Sequence, residues 1–303
     1  MTPDAADTQE FEIQIPSAPE RPPEQFSSLI HVDIFGLSHP GKVRPNNEDH
    51  FLITRFGRFL EVCHTNLQPG QLPPRFEDTG YAMAVADGMG GHAAGEEASK
   101  LAITTLVNLV LATPDWILRV DDPSSSEEVL RRATERFGQV DQALAEHAEC
   151  HPKLRDFGTT MTLAATLGKD AFITHIGDSR VYLFRKFKPH QLTRDHTLVR
   201  QLCEAGMITR AEAATHHLRH VLTRNLGGDT GARADVQKLT LDDGDCLLVC
   251  SDGLTEMVND EQIGGILGAG LGSEETCRQL IDAALRAGGN DNVTVIVAKY
   301  QFP

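Results

Sequence analysis

The sequence predicts an α+β fold, and three observations predict it. Short apolar runs follow one another through polar turns, as hairpin strands do. Helical periodicity is confined to separate blocks. The regular alternation of strand and helix that builds a parallel sheet is missing. At 303 residues the chain is long enough for one large domain or two small ones, with a sizeable core. No internal repeat is visible.

From Ile30 the run His-Val-Asp-Ile-Phe-Gly-Leu alternates sides, which predicts a half-buried first strand. The polar turn Gly41–Asp49 feeds a second strand, His50 to Thr54. Residues 65–80, with Pro69, Gly70, Pro73 and Pro74, read as a loop. Tyr81 to Asp87 is small and apolar with the length of a buried strand. Beyond Gly91 the pattern is helical to about Ala112. Val129, Ala133, Phe137, Val140 and Leu144, spaced by three or four, give one apolar face of a second helix, with Ser125 and Glu128 as its capping box. Strands are expected over 157–167 and 171–176, joined by Gly168-Lys-Asp, and over 181–184. The polar, histidine-rich section 186–228 holds short helices near 196–205 and 210–214. Strands return at 234–239 and 245–251, helices at 260–267 and 274–287, and a last strand at 292–300. Gly288 and Gly289 stop the final helix.

Composition narrows the functional classes. A net charge of −15 argues against nucleic acid as the main partner. No apolar run approaches bilayer-spanning length, and the acidic N-terminus is no secretory signal. The six cysteines include no C-x-x-C pair, and nothing suggests a disulfide framework, so a reducing cytoplasm fits best. Residues 1–29 carry five prolines and a charge of −5 (one Arg against six acids), which predicts a flexible acidic tail outside the folded domain, 30–303. A monomer without membrane or nucleic-acid attachment is expected.

The chemistry centres on Tyr81-Ala-Met-Ala-Val-Ala-Asp-Gly-Met-Gly-Gly-His92. A carboxylate ending a core strand, followed by glycines that let the backbone bend, is suited to holding a cation, with Asp87 and the Gly88 carbonyl directed into one pocket. An isolated Asp-Gly more often marks a tight turn. Here the pattern returns in Leu247-Leu-Val-Cys-Ser-Asp-Gly253, and Asp291 stands just before the last strand. Carboxylates at neighbouring strand ends, where strands lie roughly 4.8 Å apart, would repel strongly unless cations sat among them. A metal centre follows.

Arg44-x-x-Asn-Glu-Asp49, Val85-Ala-Asp-Gly-Met-Gly-Gly91, Gly158-Thr-Thr160, Gly177-Asp-Ser-Arg180, Ser251-Asp-Gly253 and Gly289-Asn-Asp-Asn292 stand in the order and spacing of the metal-dependent protein phosphatases, the phosphatase 2C family. The chain resembles the bacterial branch from about Ile30 to Tyr300. The resemblance implies an α-β-β-α sandwich of two antiparallel sheets flanked by helices. It implies two core ions, Mn2+ or Mg2+, and possibly a third. Asp87 would bridge the core ions, Asp252 and Asp291 would hold the first, and Glu48 with the Gly88 carbonyl the second. Asp49 would orient metal-bound water, Arg44 would clamp the phosphate, and Asp178 with Asp252 would bind the weaker third ion. Gly158-Thr-Thr160 is assigned a packing role near the site.

The implied reaction is hydrolysis of phosphoserine and phosphothreonine on proteins by attack of a metal-bridging hydroxide, in opposition to a bacterial serine/threonine kinase. Met89 stands where eukaryotic relatives carry a histidine proposed as leaving-group acid, so a metal-bound water is the default proton source. The section near 186–228 resembles a mobile flap beside the site. From Arg185 to Arg224 it has eight basic and three acidic residues, +5, which reads either as a guide for anionic phosphoprotein or as a solvated face. Two other functions stay open: a catalytically silent sensor or scaffold of the same fold, and a partner-switching phosphatase acting on an anti-sigma-factor antagonist.

Overall fold

The computed structural model describes residues 29–90, 93–113, 123–151, 157–228 and 233–303. The expected tail, Leu29 excepted, and Gly91 and His92 lie outside the described residues. In chain order the elements are β1 (His31–His39), β2 (Asp49–Glu61), β3 (Arg75–Met89), α1 (Ala93–Ala112), α2 (Pro123–Cys150), β4 (Gly158–Thr159), β5 (Met161–Leu167) and β6 (Asp170–Ile176). Then follow β7 (Arg180–Arg185), β8 (Lys188–Gln191), α3 (Leu198–Glu204), α4 (Arg210–Thr215), β9 (Asp235–Thr240), β10 (Cys246–Cys250), α5 (Asp252–Thr255), α6 (Asp260–Leu267), α7 (Ser273–Arg286) and β11 (Val293–Gln301).

One sheet has the order β1-β11-β10-β7-β8, the other β2-β3-β5-β6-β9, with β4 added to the end of β3, and the pairings are antiparallel. Period-2 geometry explains how they stack. In β10, Leu247 and Val249 join Met83, Ile173, Val181, Leu183 and Ile296 in a core between the sheets. The alternate residues Cys246, Leu248 and Cys250 pack with Ile263, Leu267, Leu280 and Ile281 of α6 and α7. A strand covered on both faces has no reason to alternate, which is why Leu247–Cys250 is apolar throughout. The second sheet turns its outer face to α1 and α2 through Ala98, Ala102, Phe137, Val140, Leu144, Met161 and Ile176. The layers are therefore helix, sheet, sheet, helix, the sandwich expected.

Three expectations are corrected. First, β2 runs to Glu61 and β3 begins at Arg75, so residues 75–80 are strand and the loop is confined to 62–74. Beyond Gly80, where pairing with β5 ends, the two strands continue as a ribbon held by side chains. Arg58 lies 3.3 Å from Asp78 and 5.7 Å over the Phe76 ring, and Arg75 lies 5.9 Å over Phe59. Such cross-strand pairs are the unit of sheet stability, and the nearby prolines mask them in the sequence. Second, α2 starts at Pro123, whose fixed φ suits a first helical turn, so Ser125 is the third helical residue and not the cap. Third, 188–191 form the edge strand β8, so the start of the supposed flap belongs to the sandwich.

Candidate metal centre and active site

The register of the sheets delivers the acidic residues to one end of the sandwich. Asp49 opens β2 directly opposite Asp87 near the end of β3. Directly opposed like charges destabilise a hairpin, so this pairing serves something other than the strand. Asp178 sits in the turn between β6 and β7, Asp252 opens α5 just past β10, and Asp291 lies two residues before β11. All seven residues expected to form the site, with the Gly88 carbonyl, come from segments that meet at this end.

Asp49 is held most firmly. It is buried, and its Oδ2 accepts hydrogen bonds from Ser251 Oγ and Thr294 Oγ1, each at 2.7 Å, so one carboxylate ties β2 to β10 and β11. Its Oδ1 is buried without a hydrogen-bond partner. Burial pushes its carboxyl up to about 7, against the pull of the Thr294 and Ser251 bonds. Asp87 is raised well above the usual carboxylate range, first by burial and then by the charges of Asp49, Asp252, Asp178 and Asp291. Asp178 is raised well above that range by burial, then by Asp252 and Asp195. Asp252 is pushed up to about 6 by burial, with Glu256 and Asp291 adding to it and a hydrogen bond with Asp87 opposing it. These directions share one cause: several carboxylates crowd a poorly hydrated cleft with too little positive charge among them.

Arg44 is the cation at hand. Its Nη2 donates to Asp291 Oδ2 at 2.6 Å, and its side chain is 54% exposed. The expected phosphate clamp thus rests on an expected metal ligand. Glu48 is positioned through its backbone: its N–H donates to Asn292 Oδ1 at 2.7 Å, and its carbonyl accepts from Ser99 Oγ at 2.6 Å and from Gly88 N at 3.2 Å. Gly88 lies back to back with Gly95 of α1, and a Cβ on Gly88 would stand 2.0 Å from Gly95 O. A Cβ on Gly95 would stand 2.5 Å from Glu48 Oε2. The two glycines admit the helix and the Glu48 carboxylate to the end of β3.

Several residues here escaped the sequence reading. Thr159 and Thr160 do more than pack. Thr159 Oγ1 and Thr160 N donate to the Asp87 carbonyl at 2.8 and 2.9 Å, and Thr160 Oγ1 accepts from Asp87 N at 3.1 Å. Asn292 clasps the loop between β1 and β2, donating to the carbonyls of Pro40 at 3.0 Å and Asn46 at 2.8 Å. Glu256 and His220 join the rim: His220 Nδ1 lies 2.9 Å from Glu256 Oε1, and ligand atoms of His220, Asp252 and Glu256 fall within 4.8 Å of one another. Glu256 was legible as the residue one helical turn after Asp252. His220 arrives from a distant loop and left no local signal.

The basic section is not the open positive field its composition suggests. Arg185 pairs with Asp245 and Asp242, Arg194 and Arg200 with Glu204, Arg219 with Glu256 and Arg224 with Asp235. Four of its five acidic partners lie outside the section, in β9, around α5 and in the turn before β10, so a count within 185–224 could not see the neutralisation.

Comparisons with known proteins identify the family. The family model described as Protein phosphatase 2C matches residues 75–292. The serine/threonine protein phosphatase PstP of Mycobacterium tuberculosis is 40% identical over 229 residues, 73% of this chain and 41% of that protein, so the match spans less than half of PstP. Protein phosphatase PhpP of Streptococcus pneumoniae is 30% identical over 266 residues, 87% of this chain and 96% of that protein. The serine/threonine phosphatase of S. agalactiae superposes with a TM-score of 0.72 at 29% identity, covering 88% of this chain and 99% of that one. The PstP catalytic domain in complex with 2 manganese ions superposes at 0.69 with 33% identity, covering 90% and 99%. No helix among the described residues is long and apolar enough to cross a membrane. With the motifs in order, the layers in place and the family model matching 75–292, the chain belongs to the protein phosphatase 2C family.

Proposed function

We propose that this chain is a metal-dependent phosphatase hydrolysing phosphoserine and phosphothreonine on proteins. The observation that carries the reading is the convergence of Asp49, Asp87, Asp178 and Asp252, with their carboxyls pushed upward by burial and mutual charge. Such a set is unfavourable without cations and fits a hard, oxygen-seeking ion, Mn2+ or Mg2+. Asp87, Asp252 and Asp291 would hold one ion; Glu48, the Gly88 carbonyl and Asp87 a second; Asp178 with Asp252 a third, weaker one. When bound, such ions supply an acidified water and neutralise the phosphoryl oxygens. Asp49, fixed by Ser251 and Thr294, keeps Oδ1 as an acceptor that orients water. Arg44, half exposed beside Asp291, would donate to the phosphate.

The intact carboxylate set favours catalysis over a silent scaffold, since the scaffold has no use for clustered buried charge. Phosphorylated proteins are the substrates, with a serine/threonine kinase as the opposing activity, and the enzyme acts as a cytoplasmic monomer with the catalytic domain at 30–303. The test is phosphate release from a phosphothreonine peptide with and without Mn2+. Release only with the ion is expected, and none under either condition would leave the scaffold reading.

Arg44→Ala separates phosphate binding from metal binding. Losing a charge-assisted contact costs roughly 1.5–3 kcal/mol, so KM for para-nitrophenyl phosphate should rise about tenfold or more. Because Arg44 shares Asp291 with the proposed ion, Mn2+ affinity should hold or improve. An unchanged KM would return Arg44 to a structural role as the partner of Asp291.

A further inference from the structure

The β7–β8 hairpin ends in a tip that the fold does not explain. Arg185 pairs with Lys188, leaving Lys186 and Phe187 as a two-residue loop. Both have positive φ, 53° and 61°, and they are the two non-glycine residues in that state among those described. A hairpin loop of this kind is served best by Asn-Gly, because side chains crowd the backbone in the left-handed region. This chain places there a lysine and a phenylalanine whose ring is 86% exposed. Among the described residues Phe187 has no ring contact and neither Lys186 nor Lys188 has an ion pair, whereas the arginines of the same section described above are paired.

The base of the tip is anchored on both sides. At its base Arg185 Nε donates to Asp245 Oδ1 and Nη2 to the Thr240 carbonyl, each at 2.9 Å, while Nη1 takes up Asp242. On the other side Pro189 packs on α6, where a Cβ at Gly264 would lie 2.9 Å from its Cδ. Strand β7 starts next to the Asp178 turn and runs away from it, so five residue rises put the tip roughly 17 Å or more from the carboxylate cluster. An exposed aromatic on an anchored base, flanked by two cations without an ion pair among the described residues, on a protein of net charge −15, is suited to anchor an anionic surface.

We propose that Lys186-Phe187-Lys188 is a docking tip, remote from the site, for acidic, apolar-bearing segments of phosphoprotein substrates. The inference rests on the phosphatase reading for the identity of its partner. The strain and exposure are what the sequence retains for that contact, at the expense of a better turn.

The test is Lys186→Asn with Phe187→Gly, assayed against wild type on phosphorylated casein (acidic), phosphorylated myelin basic protein (basic) and para-nitrophenyl phosphate. Because the new loop suits the turn, Tm should rise by about 2 °C or more. KM for phosphocasein should rise at least about fivefold, the scale of one lost anchor, and the rise should shrink as salt is added. The basic phosphoprotein and the aryl phosphate should be unaffected. An unchanged KM for phosphocasein, a loss equal on all three substrates, or a fall in Tm would overturn the proposal. If neither protein hydrolyses any phosphoprotein, the catalytic reading falls. Calorimetric binding of casein to the two proteins then decides the tip by itself: weaker binding by the variant upholds it and equal binding sinks it.

Discussion

Asp87→Asn is expected to lose Mn2+-dependent phosphatase activity by on the order of 10³-fold or more, while the metal-free protein is as stable as wild type or more so. The first expectation follows from the bridging position proposed for Asp87. A neutral amide cannot bind two cations at once, and several kcal/mol of charge stabilisation disappear with them, at 1.36 kcal/mol per tenfold in rate. The second follows from the direction in which the carboxyl is pushed. Burial and four neighbouring acids raise Asp87 well above its ordinary range, so its charged form is a liability to the metal-free fold. Asparagine removes that liability and retains the shape. Stability supplies the readout independent of turnover: Mn2+ should raise Tm of wild type through preferential binding to the folded state, and that rise should vanish in the variant. A variant that is still protected by Mn2+ and still active would show that Asp87 holds no ion.

Much of this site was legible because the chemistry lies in short segments with local grammar. Asp87-Gly88 and Asp252-Gly253 each follow an apolar strand, and both glycines meet backbone in the fold: a Cβ at Gly253 would stand 1.9 Å from Asn292 O. What the sequence concealed is what tertiary structure creates. Ser251 and Thr294 look like ordinary polar residues at strand ends, and only the packing of one sheet on the other brings both hydroxyls to Asp49. The section 185–224 looked positive because its partners Asp235, Asp245 and Glu256 lie elsewhere in the chain. The β2–β3 ribbon was hidden for a related reason. Its extension is stabilised by cross-strand cation and aromatic pairs, not by a buried apolar face, so no hydrophobic period announces it.

The fold and the site also answer to different residues. Leu247, Val249, Ile296 and Ile173 stack the sheets and would do so around many end-loops. The carboxylate cluster needs in addition that backbones come unusually close, and this is the work of glycine at particular positions. That division separates substitutions that weaken the protein generally from one that takes the site apart.

Gly88→Ala is expected to be such a substitution, weakening the fold and the centre together. The new Cβ would lie 2.0 Å from Gly95 O and 2.9 Å from Glu48 O, both backbone atoms that no rotamer change can clear. Relief requires α1 to move away from the end of β3. That movement would strain the hydrogen bonds from Ser99 Oγ and Gly88 N to the Glu48 carbonyl and pull the Glu48 carboxylate off its seat against Gly95. Overpacking of this kind costs about 3 kcal/mol. Mn2+ affinity should fall with it, because the Gly88 carbonyl and Glu48 belong to the same proposed ion. Gly138→Ala supplies the contrast. Gly138 lies within α2 with nothing within 4 Å of its would-be Cβ, so alanine there should stabilise by roughly 0.5–1 kcal/mol through helix propensity and leave Mn2+ dependence intact. Chemical unfolding with and without Mn2+ measures both. If Gly88→Ala unfolds at the same denaturant concentration as wild type and keeps its Mn2+ response, the close approach of β3 and α1 is not what holds the ligands of the proposed second ion in place.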